Sequence, residues 1–110
     1  MNLFLFIFPY AVRTTITTTE GVYFITFTCT NWIPLFSLSN AYDVVYKWFD
    51  YLRQQKHYLI GYVIMPNHVH AIIAFSNNRK NINTIVSNGK RFIAFELVER
   101  LQQYNKILTE

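Results

Sequence analysis

The sequence contains very little cysteine and few acidic residues. Cys29 is its only cysteine, which excludes an internal disulfide and any zinc site built from several thiolates. Ten Lys+Arg against six Asp+Glu give a formal net charge of +4, which is compatible with a polyanionic partner without requiring one. A lone cysteine fits a reducing compartment, so we expect the protein in the cytoplasm.

The sequence also lacks an apolar run long enough to cross a bilayer. Residues 3–12 are apolar but are interrupted by Pro9, and they fall well short of the roughly 20 residues that a spanning helix needs. No basic leader precedes them and no small-residue cleavage site follows, so we expect neither membrane insertion nor secretion. This segment is either an edge strand of the domain or upstream sequence added by a displaced start codon. Residues 13–21 have the composition of a linker.

A glycine-rich phosphate loop, a nucleophilic serine or cysteine constellation and an internal repeat are absent as well. What the chain does have is 52% hydrophobic and 18% aromatic residues, which excludes disorder and favours one domain, residues 22–110, with an aromatic-rich sheet. The patterning predicts a strand over 22–30, a helix over 41–56, a hairpin of strands 58–65 and 68–75, and a helix over 83–105.

Alternation and periodicity predict which residues each element buries. On the first strand, Tyr23, Ile25, Phe27 and Cys29 share one face, and the threonines form the wetter face. The loop over 31–39 is expected to tuck its apolar side chains against the domain. Ser39 or Asn40 is expected to cap the first helix and Asn83 the second. The apolar stripe of the first helix consists of Ala41, Val45, Trp48, Phe49 and Leu52, and that of the second consists of Ile85, Val86, Ile93, Leu97, Val98 and Leu101. Gly89 interrupts the second stripe and lowers the stability of that helix by up to about 1 kcal/mol.

The order strand, helix, strand, strand, helix predicts an α+β fold, a ferredoxin-like split βαβ arrangement with an antiparallel sheet and helices on one face. Its third strand lies in the middle of the sheet, in agreement with the apolar residues on both faces of 68–75. A fourth strand would normally follow the second helix, and we expect it to be missing.

His68 and His70 are the most informative polar residues. Pro66-Asn67 suits the centre of a tight turn, and two histidines two positions apart on the strand after it project from one face, with Cα atoms roughly 6 to 7 Å apart. They can converge on one metal ion, although two half-exposed histidines near a turn are often just surface residues, and a third ligand would be needed for tight binding. Arg79, Lys80, Lys90 and Arg91 form a basic cluster that either contacts phosphates or is a solvated surface.

The hexapeptide Met65-Pro66-Asn67-His68-Val69-His70, with the strand before it, resembles the His-hydrophobe-His signature of HUH single-tyrosine transposases, those of insertion sequences and REP elements. Residues 23–28 followed by Pro34-Leu35-Phe36 are similar to the first strand and loop of that family, so the resemblance covers roughly residues 22–105. It implies metal-dependent cleavage and rejoining of single-stranded DNA in transposition, through a 5′-phosphotyrosine intermediate and with Mg or Mn as cofactor, in a homodimer.

Carried over by motif, His68 and His70 are the metal ligands, and Asn67 either orients a ligand or simply suits the turn. The family's nucleophilic tyrosine lies on a separate helix further along the chain. Tyr104 is the only tyrosine downstream of the histidines and so the one candidate nucleophile there, but it falls at the end of the second predicted helix. The chain departs from the family because no separate tyrosine helix follows the histidines. The best explanation is a C-terminally truncated copy, which lacks the fourth strand and the tyrosine helix and is doubtful in activity.

Two other readings stay open. A ferredoxin-like sheet is also the scaffold of the RRM, a non-catalytic nucleic-acid-binding module with aromatic residues on the first and third strands of its open face. The third strand here offers His68 and His70 at those places, which counts against it. The other reading is a structural or regulatory domain that dimerises through its sheet edge.

Overall fold

A computed structural model of the chain describes residues 3–7, 19–77 and 80–109, with side chains described from 19 to 77 and from 80 to 104. The architecture is α+β, a mixed fold of helices and an antiparallel sheet. Its elements are β1 (Leu3–Ile7), β2 (Gly21–Cys29), a 3₁₀ turn (Thr30–Trp32), α1 (Leu35–Leu38), α2 (Tyr42–Gln54), β3 (Tyr58–Met65), β4 (His68–Phe75) and α3 (Ile82–Thr109).

The sheet has the strand order β1-β2-β4-β3, and every neighbouring pair is antiparallel. The β3–β4 hairpin has the bounds that the sequence predicts, because apolar alternation on both sides of Pro66-Asn67 sets both strands and the turn. A register irregularity between Leu59 and Gly61 leaves Ile60 as an extra residue in β3. Because β2 and β3 lie on either side of it, β4 is a central strand, as predicted.

The N-terminal apolar segment contributes an edge strand. β1 pairs with β2 from Leu3 opposite Cys29 to Ile7 opposite Ile25, which agrees with the first of the two interpretations of residues 3–12. The described sheet thus has a fourth strand after all, supplied by residues before β2. Most of the linker predicted over 13–21 lies outside the described residues.

The helices and one face of the sheet enclose a single core. β2 and β4 contribute Ile25, Phe27, Cys29, Val69, Ala71, Ile73 and Phe75, and α2 and α3 contribute Val44, Val45, Trp48, Phe49, Leu52, Ile82, Ile85, Val86, Ile93 and Leu97. The predicted stripes are confirmed except at the end of the second, where Val98 is exposed and Leu101 is only half-buried.

Both predicted helix caps are wrong. Ala41 takes the N-cap position of α2 without a side-chain hydrogen bond, and Ser39 instead donates its hydroxyl hydrogen to the Leu35 carbonyl at 2.6 Å. At α3 the cap is Asn81, whose Oδ1 accepts from the Thr84 N–H at 2.8 Å. An asparagine two residues from the predicted one thus begins the helix.

Two predictions about burial also need correction. The loop predicted over 31–39 contains the 3₁₀ turn and α1, and although Phe36 is fully buried, Trp32 is 64% exposed and Ile33 is 42% exposed. On β2 the threonine face is not wet at its centre: Thr26 and Thr28 are buried, because β1 runs on one side of them and the two histidines of β4 lie opposite on the other.

Candidate metal and nucleic-acid site

The β3–β4 turn brings the two histidine rings together on the side of the sheet away from the helices. The ring centroids of His68 and His70 lie 4.7 Å apart, with the ring planes at 70°. Both residues are half-buried, whereas Val69 and Ala71 alternate with them and point into the core. The structure therefore brings the two rings into contact on one face of the sheet.

Asn67 orients the first imidazole and also anchors the turn. His68 Nδ1 lies 2.6 Å from Asn67 Oδ1, and because a carbonyl oxygen only accepts, the ring must donate from Nδ1, so Nε2 is the ring nitrogen left for a metal ion. Asn67 also donates from Nδ2 to the Trp32 carbonyl at 3.3 Å, and its backbone carbonyl accepts from the Cys29 N–H at 2.9 Å. Asn67 thus anchors the turn and also hydrogen-bonds to the His68 ring.

The second imidazole is held by β2. His70 Nδ1 shares a hydrogen bond of 2.9 Å with Thr26 Oγ1, the residue directly opposite it in the strand pair. Burial, and secondarily the neighbouring His68, lower the pKa of His70. A lowered pKa favours the neutral imidazole at pH 7, which is the form that binds metals.

Aromatic rings flank the pair, and the sequence did not single them out. Phe24 stacks on His70 with centroids 5.3 Å apart and planes at 24°, and Trp32 meets His68 edge-on at 6.0 Å. Phe24 could have been found from the sequence, since it shares the β2 face of Thr26. The position of Trp32 depends on the 3₁₀ turn, which has no periodic signal.

The donor set fits half of a metal site. Two neutral imidazoles suit Mn²⁺ better than Mg²⁺, which prefers oxygen ligands. Within residues 19–77 and 80–104, no cluster of three His, Cys, Asp or Glu side chains could hold an ion. The described residues thus offer two nitrogen ligands, those of His68 and His70.

The other predicted site residues that the structure describes lie on or beside α3. Tyr104 is exposed near the C-terminal end of that helix. Lys90 and Arg91 also lie on α3, and Lys80 shortly precedes it; Arg79 lies outside the described residues. Because α3 packs on the core side of the sheet, Lys90 and Arg91 belong to the helical layer and not to the face that carries the imidazoles.

Comparisons with known proteins found no matching family model, no matching curated protein and no matching solved structure. Of the helices in the described part of the chain, none combines the length and the apolar character needed to traverse a membrane.

Proposed function

We propose that this chain is an HUH transposase-like domain that binds single-stranded DNA through a divalent cation held by His68 and His70. The observation that carries the proposal is the pair of convergent imidazoles, 4.7 Å apart at the head of the central strand. Each ring is oriented by a hydrogen bond at its Nδ1, which His68 makes with Asn67 Oδ1 and His70 makes with Thr26 Oγ1. Such outer contacts are typical of histidines that bind metals.

The strand order supports the same proposal. In β2-β4-β3, the strand after the hairpin turn lies between the other two, which is the arrangement of the ferredoxin-like split βαβ unit. β1 then occupies the edge position beside β2 that a fourth strand takes in that fold. Within the described residues, α2 and α3 pack on the opposite face of the sheet, and His68 and His70 remain half-exposed, so a DNA strand could reach them.

A bound divalent cation would polarise a phosphate group and stabilise negative charge that develops on its oxygens. The chain's own contribution is to hold two neutral nitrogen ligands in place. Since α3, the helix that carries Tyr104, packs on the opposite face of the sheet, we propose that this chain binds DNA without forming a covalent tyrosine link by itself. In the homodimer that the resemblance implies, both copies would lack a nucleophile at the site, so the nucleophile would have to come from a different polypeptide.

Manganese titration tests the metal site. We expect the purified chain to bind Mn²⁺, measured by calorimetry or electron paramagnetic resonance, and the His68→Ala, His70→Ala double variant to lose that binding. His57→Asn is the matched control, because it removes a buried histidine outside the pair and should leave binding unchanged. Equal manganese binding in the double variant would refute the site.

The DNA arm of the test uses a short oligodeoxynucleotide. We expect its affinity to rise on addition of Mn²⁺ in the wild type and in His57→Asn, but not in the double histidine variant. An oligonucleotide that binds equally well with and without the metal would argue for a different function.

That second function is a non-catalytic nucleic-acid-binding module of the RRM kind. Phe24 on the open face of β2, stacked on His70, is an aromatic residue on one of the strands that such modules use. Metal-independent binding that is lost in Phe24→Ala and retained in the double histidine variant would favour this module.

A further inference from the structure

We propose that the shallow cleft beside His70 receives one unstacked base of the bound strand. The inference depends on the proposed function, because it places the base next to the phosphate that His68 and His70 would hold through the cation. It adds a subsite that is distinct from the metal pair.

The cleft has a volume of about 160 Å³ and lies on the open face between β2, β4 and β3. It is smaller than the roughly 300 to 1,000 Å³ of sites for drug-sized ligands, which suits one planar ring system. Its lining is almost wholly apolar or aromatic: Phe24, Gly61, Tyr62, Val63, His70, Ala71 and Ile72.

Gly61 keeps the β3 side of the cleft open. A Cβ built at Gly61 would have no heavy atom within 4 Å, so packing of the protein itself does not require a glycine there. The register irregularity in β3 falls at this point and places Gly61 opposite Ile72, next in line to Val63 and Tyr62. A bulge and a glycine together therefore widen the sheet surface beside the candidate metal site.

The β2 and β4 side of the cleft provides a stacking surface. Phe24 and His70 are nearly parallel, with centroids 5.3 Å apart, and Ile72 and Val63 next to them are 38% and 52% exposed. Exposed apolar surface of this kind on one sheet face indicates a binding surface. A base needs such a surface, and the few polar groups around it predict stacking without discrimination between bases.

The position of the cleft selects a nucleotide over a simple apolar ligand. His70 belongs both to the cleft lining and to the imidazole pair, so a ligand that fills both places must carry an anionic group directly beside a planar apolar group. The phosphate and base of one nucleotide have this character.

The test fills the cleft without touching the metal ligands. In Gly61→Val, the new side chain occupies open space on a strand that favours β-branched residues, so the variant should keep its circular dichroism spectrum and its Mn²⁺ affinity. We expect its affinity for a short oligodeoxyadenylate in Mn²⁺ buffer to fall by about five- to a hundredfold, the loss expected for one stacked base. Val22→Ile adds a methyl group to the same face outside the cleft lining and should bind as wild type does.

Replacing one nucleotide at a time with an abasic sugar gives a second readout. In the wild type, an abasic sugar at one position of the oligonucleotide should lower the affinity by a similar factor. In Gly61→Val, an abasic sugar at that same position should cause no further loss of affinity. Unchanged oligonucleotide affinity in Gly61→Val, with loss in the double histidine variant, would overturn the base subsite and leave the proposed function intact. If the wild type bound no oligonucleotide with Mn²⁺, both proposals would fall.

Discussion

At the scale of single residues, His57 differs from the other two histidines because the core encloses it. It is 4% exposed at the start of the β3–β4 hairpin, its Nδ1 accepts from the Ser76 N–H at 3.1 Å, and the Phe75 ring lies 5.3 Å away. Burial lowers the pKa of His57, so the folded protein holds it neutral with the proton on Nε2.

This burial should make folding sensitive to acid. The unfolded chain takes up a proton on this histidine near pH 6.5, whereas the folded chain does so only at lower pH, so stability is full above about pH 6.5 and falls as the pH drops below it. His70, with its lowered pKa, contributes in the same direction.

His57→Asn keeps an acceptor near the position of Nδ1 and removes the titration. We expect the urea midpoint to fall less between pH 7 and pH 5 in this variant than in the wild type. An identical pH profile for both proteins would show that His57 is not responsible for the acid sensitivity.

At the scale of elements, Gly89 explains how closely α2 and α3 can approach each other. A Cβ at this position would overlap the indole of Trp48, which is 3% exposed and has an Nε1–H without an acceptor among the described residues. The glycine that interrupts the predicted stripe of α3 is therefore a packing requirement between the two helices.

Gly89→Ala should accordingly destabilise the protein. Helix propensity alone favours alanine by about 1 kcal/mol, but overpacking against a buried indole typically costs about 1 to 3 kcal/mol. We expect a net loss in the free energy of unfolding, measured with urea. Asn88→Ala, at the exposed neighbouring position, is the control and should be neutral or slightly stabilising; a more stable Gly89→Ala would show that Trp48 moves aside freely.

Local patterns predicted those parts of the fold that depend on neighbouring residues. The hairpin, the position of β2 to within one residue at each end and the buried side of α2 follow from alternation and from a period of 3.6 residues. The buried Thr26 and Thr28 could not be predicted in this way, because their neighbours are on β1 and β4. The 3₁₀ turn and α1 were missed because each spans only about one helical turn, which is too short to show a repeating pattern.

The candidate site likewise has a part that follows from neighbouring residues and a part that depends on strand pairing. His68, His70 and Asn67 are consecutive or nearly so, and the sequence therefore placed them together. Thr26 and Phe24 join them through strand pairing across 44 residues or more, and only the register reveals that contact. Tyr104 was a candidate because of its order in the chain, and it lies on α3, which packs on the other face of the sheet.

At the scale of the whole molecule, β1 shields one edge of the sheet. Its pairing spans Thr26, Thr28 and Cys29 of β2, and without it the backbone N–H and C=O groups along that edge would be open to another chain. β3 forms the other edge and is partly exposed at Tyr58, Ile60 and Val63.

Removing residues 1–7 should therefore promote self-association. We expect the shortened chain to elute as larger species than the full chain in size-exclusion chromatography with light scattering at equal concentration. Removal of residues 1 and 2 alone, which precede β1, is the control and should leave the elution profile unchanged. Identical profiles for all three proteins would mean that β1 does not protect the edge.

The length of α3 has a consequence for motion of the molecule in solution. Its 28 residues give a rod of about 42 Å at the α-helical rise, and the protein measures 49 × 28 × 21 Å, so the rod fits only along the longest dimension. The protein should rotate as an elongated body. The amide bond vectors of α3, lying near the long axis, would then reorient mainly by slow end-over-end tumbling.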